Sequence, residues 1–289
     1  MLNALIKTMR PRQWTKNVFI FAALVFDKQL FHVDAFLRTL AGFALFCLIS
    51  SSVYIFNDIA DVEADRQHPE KKNRPIPSGK LPISAAWVAG IVLVLITVVT
   101  SYFLAPRFGA VVLIYFVLFM AYTKWLKHIP ILDVLILAAG FVLRVHAGVT
   151  LIAVERFSPW LYVVMSLLSL FLGFGKRRAE IALLAHGAGS HRKVLEGYTL
   201  PLLDQYIMIV SGTTIVAYSL YTFSAPNVPE NHSMMLTIPF VMYTIFRYLY
   251  LIQVENIGGS PEEILLTDRP FQIAMILWGA AVLAIFYLS

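Results

Sequence analysis

Long apolar runs alternate with short polar connections along this chain, and that rhythm decides its class before any single residue is weighed. Nine apolar stretches run over about 17–31, 37–57, 82–104, 107–125, 130–152, 158–174, 204–223, 234–254 and 271–288. Most reach the roughly 20 residues that a helix needs to cross a bilayer, and the first and sixth are shorter. Hydrocarbon admits only helices and closed barrels, and these runs are far too long for barrel strands. The expected fold class is all-α: a polytopic membrane protein, a bundle of nine transmembrane helices with a cytoplasmic-facing polar cavity. It is expected to form a single domain over residues 1–289. No solenoid repeat or low-complexity run breaks the rhythm, and Met1–Arg12 leads into the first stretch without a cleavable signal sequence.

Composition agrees with the pattern. With 59% hydrophobic residues, 14% charged and a mean hydropathy of +0.74, an ordinary soluble domain is excluded. The single cysteine, Cys47, lies inside an apolar stretch, so no intrachain disulfide forms. The seven histidines are scattered without zinc spacing.

Charge orients the bundle. Seventeen Lys and Arg residues fall in the amino-terminal segment and the connections after the second, fourth, sixth and eighth stretches. The opposite connections hold only Lys28, Arg38, Arg107 and Arg156, while Arg144 and Arg247 fall within stretches. The positive-inside rule therefore predicts a cytoplasmic amino terminus in the cell membrane and an external carboxyl terminus. The net charge of +6 belongs to the cytoplasmic face, where it suits anionic membrane lipid, and it implies no nucleic acid.

The two longest polar connections, 58–81 and 175–203, both fall on that face, and connections of this length are usually functional. Residues 57–79 read N-D-I-A-D-V-E-A-D-R-Q-H-P-E-K-K-N-R-P-I-P-S-G. On a helix, the spacing of Asp58, Asp61 and Asp65 puts three carboxylates on one face, spread over about 10 Å. Three anions so placed repel unless a cation holds them, and hard oxygen ligands with an open side suit Mg²⁺ carrying a phosphate. Arg66, Lys71, Lys72 and Arg74 follow at once with charge for an anion. The plainer alternative is a solvated helix end with alternating charges.

A second cluster, G-K-R-R-A-E at 175–180, offers Lys176, Arg177, Arg178 and Glu180. Lys176 and Glu180 are spaced for a structural i,i+4 pair, and the cations could equally anchor lipid head groups. The R-P-R-Q-W-T-K-N run at 10–17, with Lys16, is placed on the same face. So is Y-T-K-W-L-K-H at 122–128, with Tyr122, Lys124 and Lys127. Arg144 lies mid-stretch, where a charge costs about 2.5 kcal/mol or more, so it should face the interior and hold an anion or an aspartate, with Asp133 a candidate partner. One carboxylate wall and several cationic walls suit a substrate with many phosphates.

The N-D-x-x-D-x-x-x-D run followed by R-P-x-x-S-G, within nine expected helices, resembles the UbiA superfamily of intramembrane prenyltransferases over essentially the whole chain. The resemblance implies that Asn57, Asp58, Asp61 and Asp65 bind Mg²⁺ and a diphosphate. It departs at the second site, where typical members carry D-x-x-x-D and this chain has Lys176, Arg177, Arg178 and Glu180. Four runs resemble one branch of the superfamily, the decaprenyl-phosphate phosphoribosyltransferases: R-P-R-Q-W-x-K-N, D-x-x-H-P-x-K-x-x-R-P-I, L-K-H-x-P-x-x-D and G-K-R-x-A-E. That branch implies transfer of 5-phosphoribose from phosphoribosyl pyrophosphate to a polyprenyl phosphate, with Mg²⁺.

On this reading Asp58, Asp61 and Asp65 hold the metal and, with Lys176, are catalytic. Lys16, Asn57, Arg66, Lys72, Arg74, Tyr122, Lys124, Lys127, Arg144, Arg177, Arg178 and Glu180 contact substrate. A phosphate monoester ionises a second time near pH 6, so the attacking oxygen needs no general base. A conventional prenyltransferase would require the missing second aspartate motif. A transporter would show paired, helix-broken repeats, which the sequence lacks.

Overall fold

The computed structural model describes residues 1–154, 158–185, 193–255 and 261–288. Arg156 and residues 186–192 of the second polar connection lie outside them. In chain order the helices are α1 (Leu2–Met9), α2 (Ala22–Phe26), α3 (Val33–Ala60), α4 (Val62–Gln67), α5 (Ile83–Leu104), α6 (Pro106–Lys124), α7 (Leu132–Val149), α8 (Pro159–Ala185), α9 (Leu200–Ser224), α10 (Ile238–Gln253), α11 (Pro261–Thr267) and α12 (Arg269–Leu288). Among the described residues, eight helices are long and apolar enough to cross a membrane: α3, α5 to α10 and α12. The chain is a multi-pass membrane protein.

These eight follow the later eight stretches; the first stretch is built differently. It forms an eleven-residue 3₁₀ run, Pro11–Phe21, continued by the five residues of α2. A 3₁₀ helix rises about 2.0 Å per residue against 1.5 Å in an α-helix, so this segment reaches about 30 Å with few residues. Such runs rarely exceed four residues, because their hydrogen bonds are poorer. Side chains hold this one in place. Trp14 Nε1 donates to Ser51 Oγ (3.0 Å), and Asn17 Nδ2 donates to Ser50 Oγ and Cys47 Sγ (both 3.2 Å). At Gly148 the Ile20 carbonyl occupies the space where a Cβ would sit.

The contacts group the chain into two compact units. The first comprises Met1–Val25, Gln29–Ile129 and Leu143–Val154; the second comprises Phe26–Lys28, Pro130–Val142 and Glu155–Ser289. In the first, α3 packs against α1, α5, α6 and the 3₁₀ run. Ile55, Ile76, Leu81 and Ala86 form a small core beside α1, covered by Ala4, Leu5 and Met9. This core fixes the 75–81 turn against the end of α3 that carries the aspartates. Helix α5 exposes Val88, Ile91, Val92, Leu95, Ile96 and Val99 but buries Thr97 and Ser101. That distribution inverts the pattern of a water-soluble helix and fits a lipid-facing one.

In the second unit, α8 packs on α9, and α10 packs on α9 and α12. Val134, Phe171, Phe174, Leu203, Ile207, Tyr248 and Ile252 form the core. Helix starts are marked chemically. Thr199 Oγ1 accepts from Leu202 N (3.3 Å), and Asp268 Oδ1 accepts from Phe271 N (2.8 Å). Arg247 also grips Asp268 (2.7 Å) and holds its carboxyl below the usual carboxylate range.

Two local expectations change. The G-K-R-R-A-E run lies inside α8 rather than in a loop, since Lys, Arg and Glu are good helix formers and loss of hydropathy does not end a helix. The acidic run also straddles a junction: α3 ends at Ala60, and Asp61 (φ −97°, ψ 7°) leads into α4. Hydrogen bonds from Asp61 N to Asn57 O (3.0 Å) and from Asp65 N to Asp61 O (2.8 Å) carry the ladder across.

Candidate active site

The acidic cluster lies in the first unit. Asp58 and Asp65 are nearly fully buried, at 1% and 4% exposure, and buried carboxylates need partners. Arg74 serves both: its Nη1 lies 3.2 Å from Asp58 Oδ1 and 2.8 Å from Asp65 Oδ2. Those two oxygens therefore lie within 6.0 Å of each other. Arg10 also donates to Asp58 Oδ1, and Lys71 Nζ lies 3.8 Å from Asp65 Oδ1. Asp61 turns instead to Lys127 Nζ (2.5 Å). The three carboxylates thus share one helical segment without converging. Among the described residues no three His, Cys, Asp or Glu side chains are gathered as a metal cage.

The donor set nevertheless fits a hard divalent cation. It consists of carboxylate oxygens, and two of the carboxylates already meet at one positive group. With phosphate oxygens completing the shell, Asp58 and Asp65 would hold Mg²⁺, and Asp61 would join from the next turn.

Around this cluster, Asn57 Oδ1 accepts from Thr123 Oγ1 (3.4 Å). Arg66 Nη1 pairs with Glu63 (2.8 Å), and its Nε points to the Pro77 carbonyl (3.5 Å). Lys72 is exposed, and Lys124 lies 4.6 Å over the Trp125 ring. Lys16 and Tyr122 are half-buried, Tyr122 beside the Phe119 ring at 6.0 Å. His68 closes the segment after α4. Its Nδ1 accepts from the backbone N–H groups of Glu70 (3.2 Å) and Lys71 (3.3 Å), so the neutral ring carries its proton on Nε2. Burial first, and the Lys71 charge second, push the pKa of His68 down.

Arg144 faces inward as expected, at 4% exposure. Its Nε donates to Asn17 Oδ1 (2.8 Å) and its Nη2 to Tyr115 Oη (2.9 Å), with the Tyr115 and Phe46 rings 5.0 and 5.6 Å from the guanidinium. Its visible work is to tie α7 to the 3₁₀ run that carries Lys16 and follows directly on Arg10.

The second cluster is confined to the second unit. Asp133, with 0% exposure, does not serve as the partner expected for Arg144; it accepts from Arg177 Nε (2.6 Å) on Oδ2 and from Tyr198 Oη (2.6 Å) on Oδ1. Arg177 also pairs with Glu180 (2.6 Å) at i,i+3 spacing. Arg178 binds Asp204 (2.6 Å) and the Ile252 carbonyl (2.8 Å). Lys176 is half-buried on the same turn. Tyr198 accepts in turn from Ile131 N–H (2.5 Å), a β-branched residue held at φ 71°. Burial and Asp133 push the Tyr198 hydroxyl well above the ordinary tyrosine range, so it remains a donor.

Arg10, Tyr198 and Asp204 enlarge the set read from the sequence. Arg10 sits inside a quoted run and could have been found there; a tyrosine beside Gly197 and an aspartate on α9 carry no local signal.

A model of the UbiA prenyltransferase family matches residues 17–257. The chain belongs to that family. Among its relatives, decaprenyl-phosphate phosphoribosyltransferase from Mycolicibacterium smegmatis is 34% identical, covering 100% of this chain and 94% of the relative. The enzyme of the same name from Corynebacterium glutamicum is 32% identical over 99% of this chain and 87% of its own. Among solved structures, a UbiA homolog from Archaeoglobus fulgidus bound to GPP and Mg²⁺ shares the family fold, with a TM-score of 0.74 at 18% identity. The match covers 98% of this chain and 99% of that one.

Proposed function

We propose that this UbiA-family protein transfers 5-phosphoribose from phosphoribosyl pyrophosphate to a polyprenyl phosphate and releases pyrophosphate. The observation that carries the reading is the end-to-end similarity, at 32–34% identity, to enzymes named for decaprenyl-phosphate phosphoribosyl transfer. The residue types suit that chemistry. The donor brings a diphosphate and a separate 5-phosphate, the acceptor is a lipid phosphate, and the main obstacle is repulsion between anions.

Asp58, Asp61 and Asp65 hold the Mg²⁺ complex of the diphosphate. When bound, Mg²⁺ supplies neutralisation of the charge that develops on the leaving pyrophosphate. Arg10 and Arg74 both reach Asp58, Arg74 reaches Asp65 as well, and on this reading both guanidiniums grip diphosphate oxygens. On α8, Arg177 and Arg178 hold Asp133, Glu180 and Asp204, and Lys176 on the same turn is assigned to the 5-phosphate of the donor. The lipid phosphate dianion attacks the anomeric carbon directly, without a protein base. Orientation in the cell membrane follows the basic connections: amino terminus and polar clusters toward the cytoplasm, carboxyl terminus outside.

The test is transfer of label from radiolabelled phosphoribosyl pyrophosphate to a polyprenyl phosphate in detergent. Label should enter the lipid phase only with Mg²⁺. Transfer of a prenyl group from a prenyl diphosphate to an aromatic acceptor, with no phosphoribosyl transfer, would overturn the reading.

A further inference from the structure

We propose that Arg74 is a resident counter-ion that makes metal binding at the acidic cluster conditional on the donor's diphosphate. The proposal rests on the reading that this cluster holds a metal–diphosphate complex. Four cationic side chains, Arg10, Lys71, Arg74 and Lys127, lie within ion-pair distance of Asp58, Asp61 and Asp65. With four formal positive charges against three negative, a bare divalent ion meets a cluster already more than neutralised. It must also displace the guanidinium that holds one oxygen of each buried carboxylate, Asp58 Oδ1 and Asp65 Oδ2. A guanidinium cannot shed its charge, so displacement is least costly when another anion receives it.

A metal–diphosphate complex removes this obstacle. It arrives with net negative charge and several acceptor oxygens. Arg74 exchanges carboxylate for phosphate as the metal exchanges phosphate-only coordination for carboxylate. Each partner then raises the other's affinity, and by thermodynamic linkage the two factors are equal. Arg74 suits the exchange because it is half-exposed while its two carboxylates are nearly buried: its side chain retains 31% exposure against 2% for Asp58 and 5% for Asp65. The consequence for the enzyme is that metal does not load alone, and the cluster closes only around a diphosphate.

The experiment is equilibrium dialysis of the full-length protein in detergent at fixed free Mn²⁺, with and without inorganic pyrophosphate. Wild-type protein should gain about tenfold or more in Mn²⁺ affinity when pyrophosphate is present. Arg74→Gln should bind Mn²⁺ alone about tenfold more tightly than wild type and lose most of the pyrophosphate effect. Arg74→Lys, which keeps the charge on a shorter side chain with a compact ammonium head, should fall between them, and it serves if the Gln variant fails to fold. Equal Mn²⁺ affinity of the wild type with and without pyrophosphate overturns the proposal, as does a folded Arg74 variant with no gain for Mn²⁺ alone. Absence of Mn²⁺ binding under every condition overturns the metal role of the cluster as well, which separates failure of this inference from failure of the proposed function.

Discussion

Removing the carboxylate of Asp133 tests whether the basic run on α8 is partly scaffold. Asp133 is fully buried, with one oxygen taken by Arg177 and the other by Tyr198, each at 2.6 Å. Arg177 is only 3% exposed. Breaking a buried ion pair by deleting one partner costs about 3–5 kcal/mol, because the remaining charge is left in a poor solvent. Glu180 still faces Arg177 at 2.6 Å, and the Tyr198 oxygen still accepts from Ile131, so the lower end applies. About 3 kcal/mol for Asp133→Ala corresponds to a fall in melting temperature of roughly 6–12 °C for a domain of this size. The paired variant Asp133→Leu with Arg177→Met removes both charges and should recover most of that loss. Thermal unfolding in detergent of the wild type, Asp133→Leu, Arg177→Met and the paired variant gives the double-mutant cycle, with an expected coupling of about 2 kcal/mol or more. The paired variant should also keep its KM for phosphoribosyl pyrophosphate within about threefold. Additive losses would refute the ion-pair argument. A stable paired variant with its donor affinity destroyed would make Arg177 a substrate ligand.

Asp61→Asn should abolish transfer while leaving the protein folded and inserted; full activity at low Mg²⁺ would show the acidic face to be structural. Lys176→Ala should raise the KM for phosphoribosyl pyrophosphate about tenfold or more, as loss of a charge-assisted hydrogen bond requires, and raise that for the lipid much less. Equal losses for ribose donors lacking the 5-phosphate would refute that role. Because folding lowers the pKa of His68, its contribution to stability is present above the unfolded value of about 6.5 and is lost as pH falls below it. Melting curves between pH 7.5 and 5.5 should therefore fall more steeply for the wild type than for His68→Gln, and parallel curves would contradict the assignment. Direct attack by the lipid phosphate should give the β-anomer from the α-donor, readable from the anomeric coupling in the product's NMR spectrum; retention would indicate a sugar–enzyme intermediate.

Hydropathy alone determined that the chain is helical and membrane-spanning, and eight of its nine stretches are helices long enough to cross, because in hydrocarbon an apolar run of sufficient length has few other ways to satisfy its backbone. Local spacing determined that Asp58, Asp61 and Asp65 share a helical segment, and the basic tail and amino-terminal run named most of their neighbours. What spacing could not carry is partner choice, which depends on residues far apart in the chain. Arg74 bridges Asp58 and Asp65, Lys127 takes Asp61 across 66 residues, and Arg144 meets Asn17 across 127. Nor does composition say which partner a cation finds inside the fold: Arg177 and Arg178 are adjacent, yet the α8 turn sends Arg177 to Asp133 and Arg178 to Asp204. The 3₁₀ course of Pro11–Phe21 belongs to the same class of fact. Its local hydrogen bonding is weak, and it is held by Asn17, Trp14 and the close approach of the Ile20 carbonyl to Gly148, contacts that exist only once distant segments are packed.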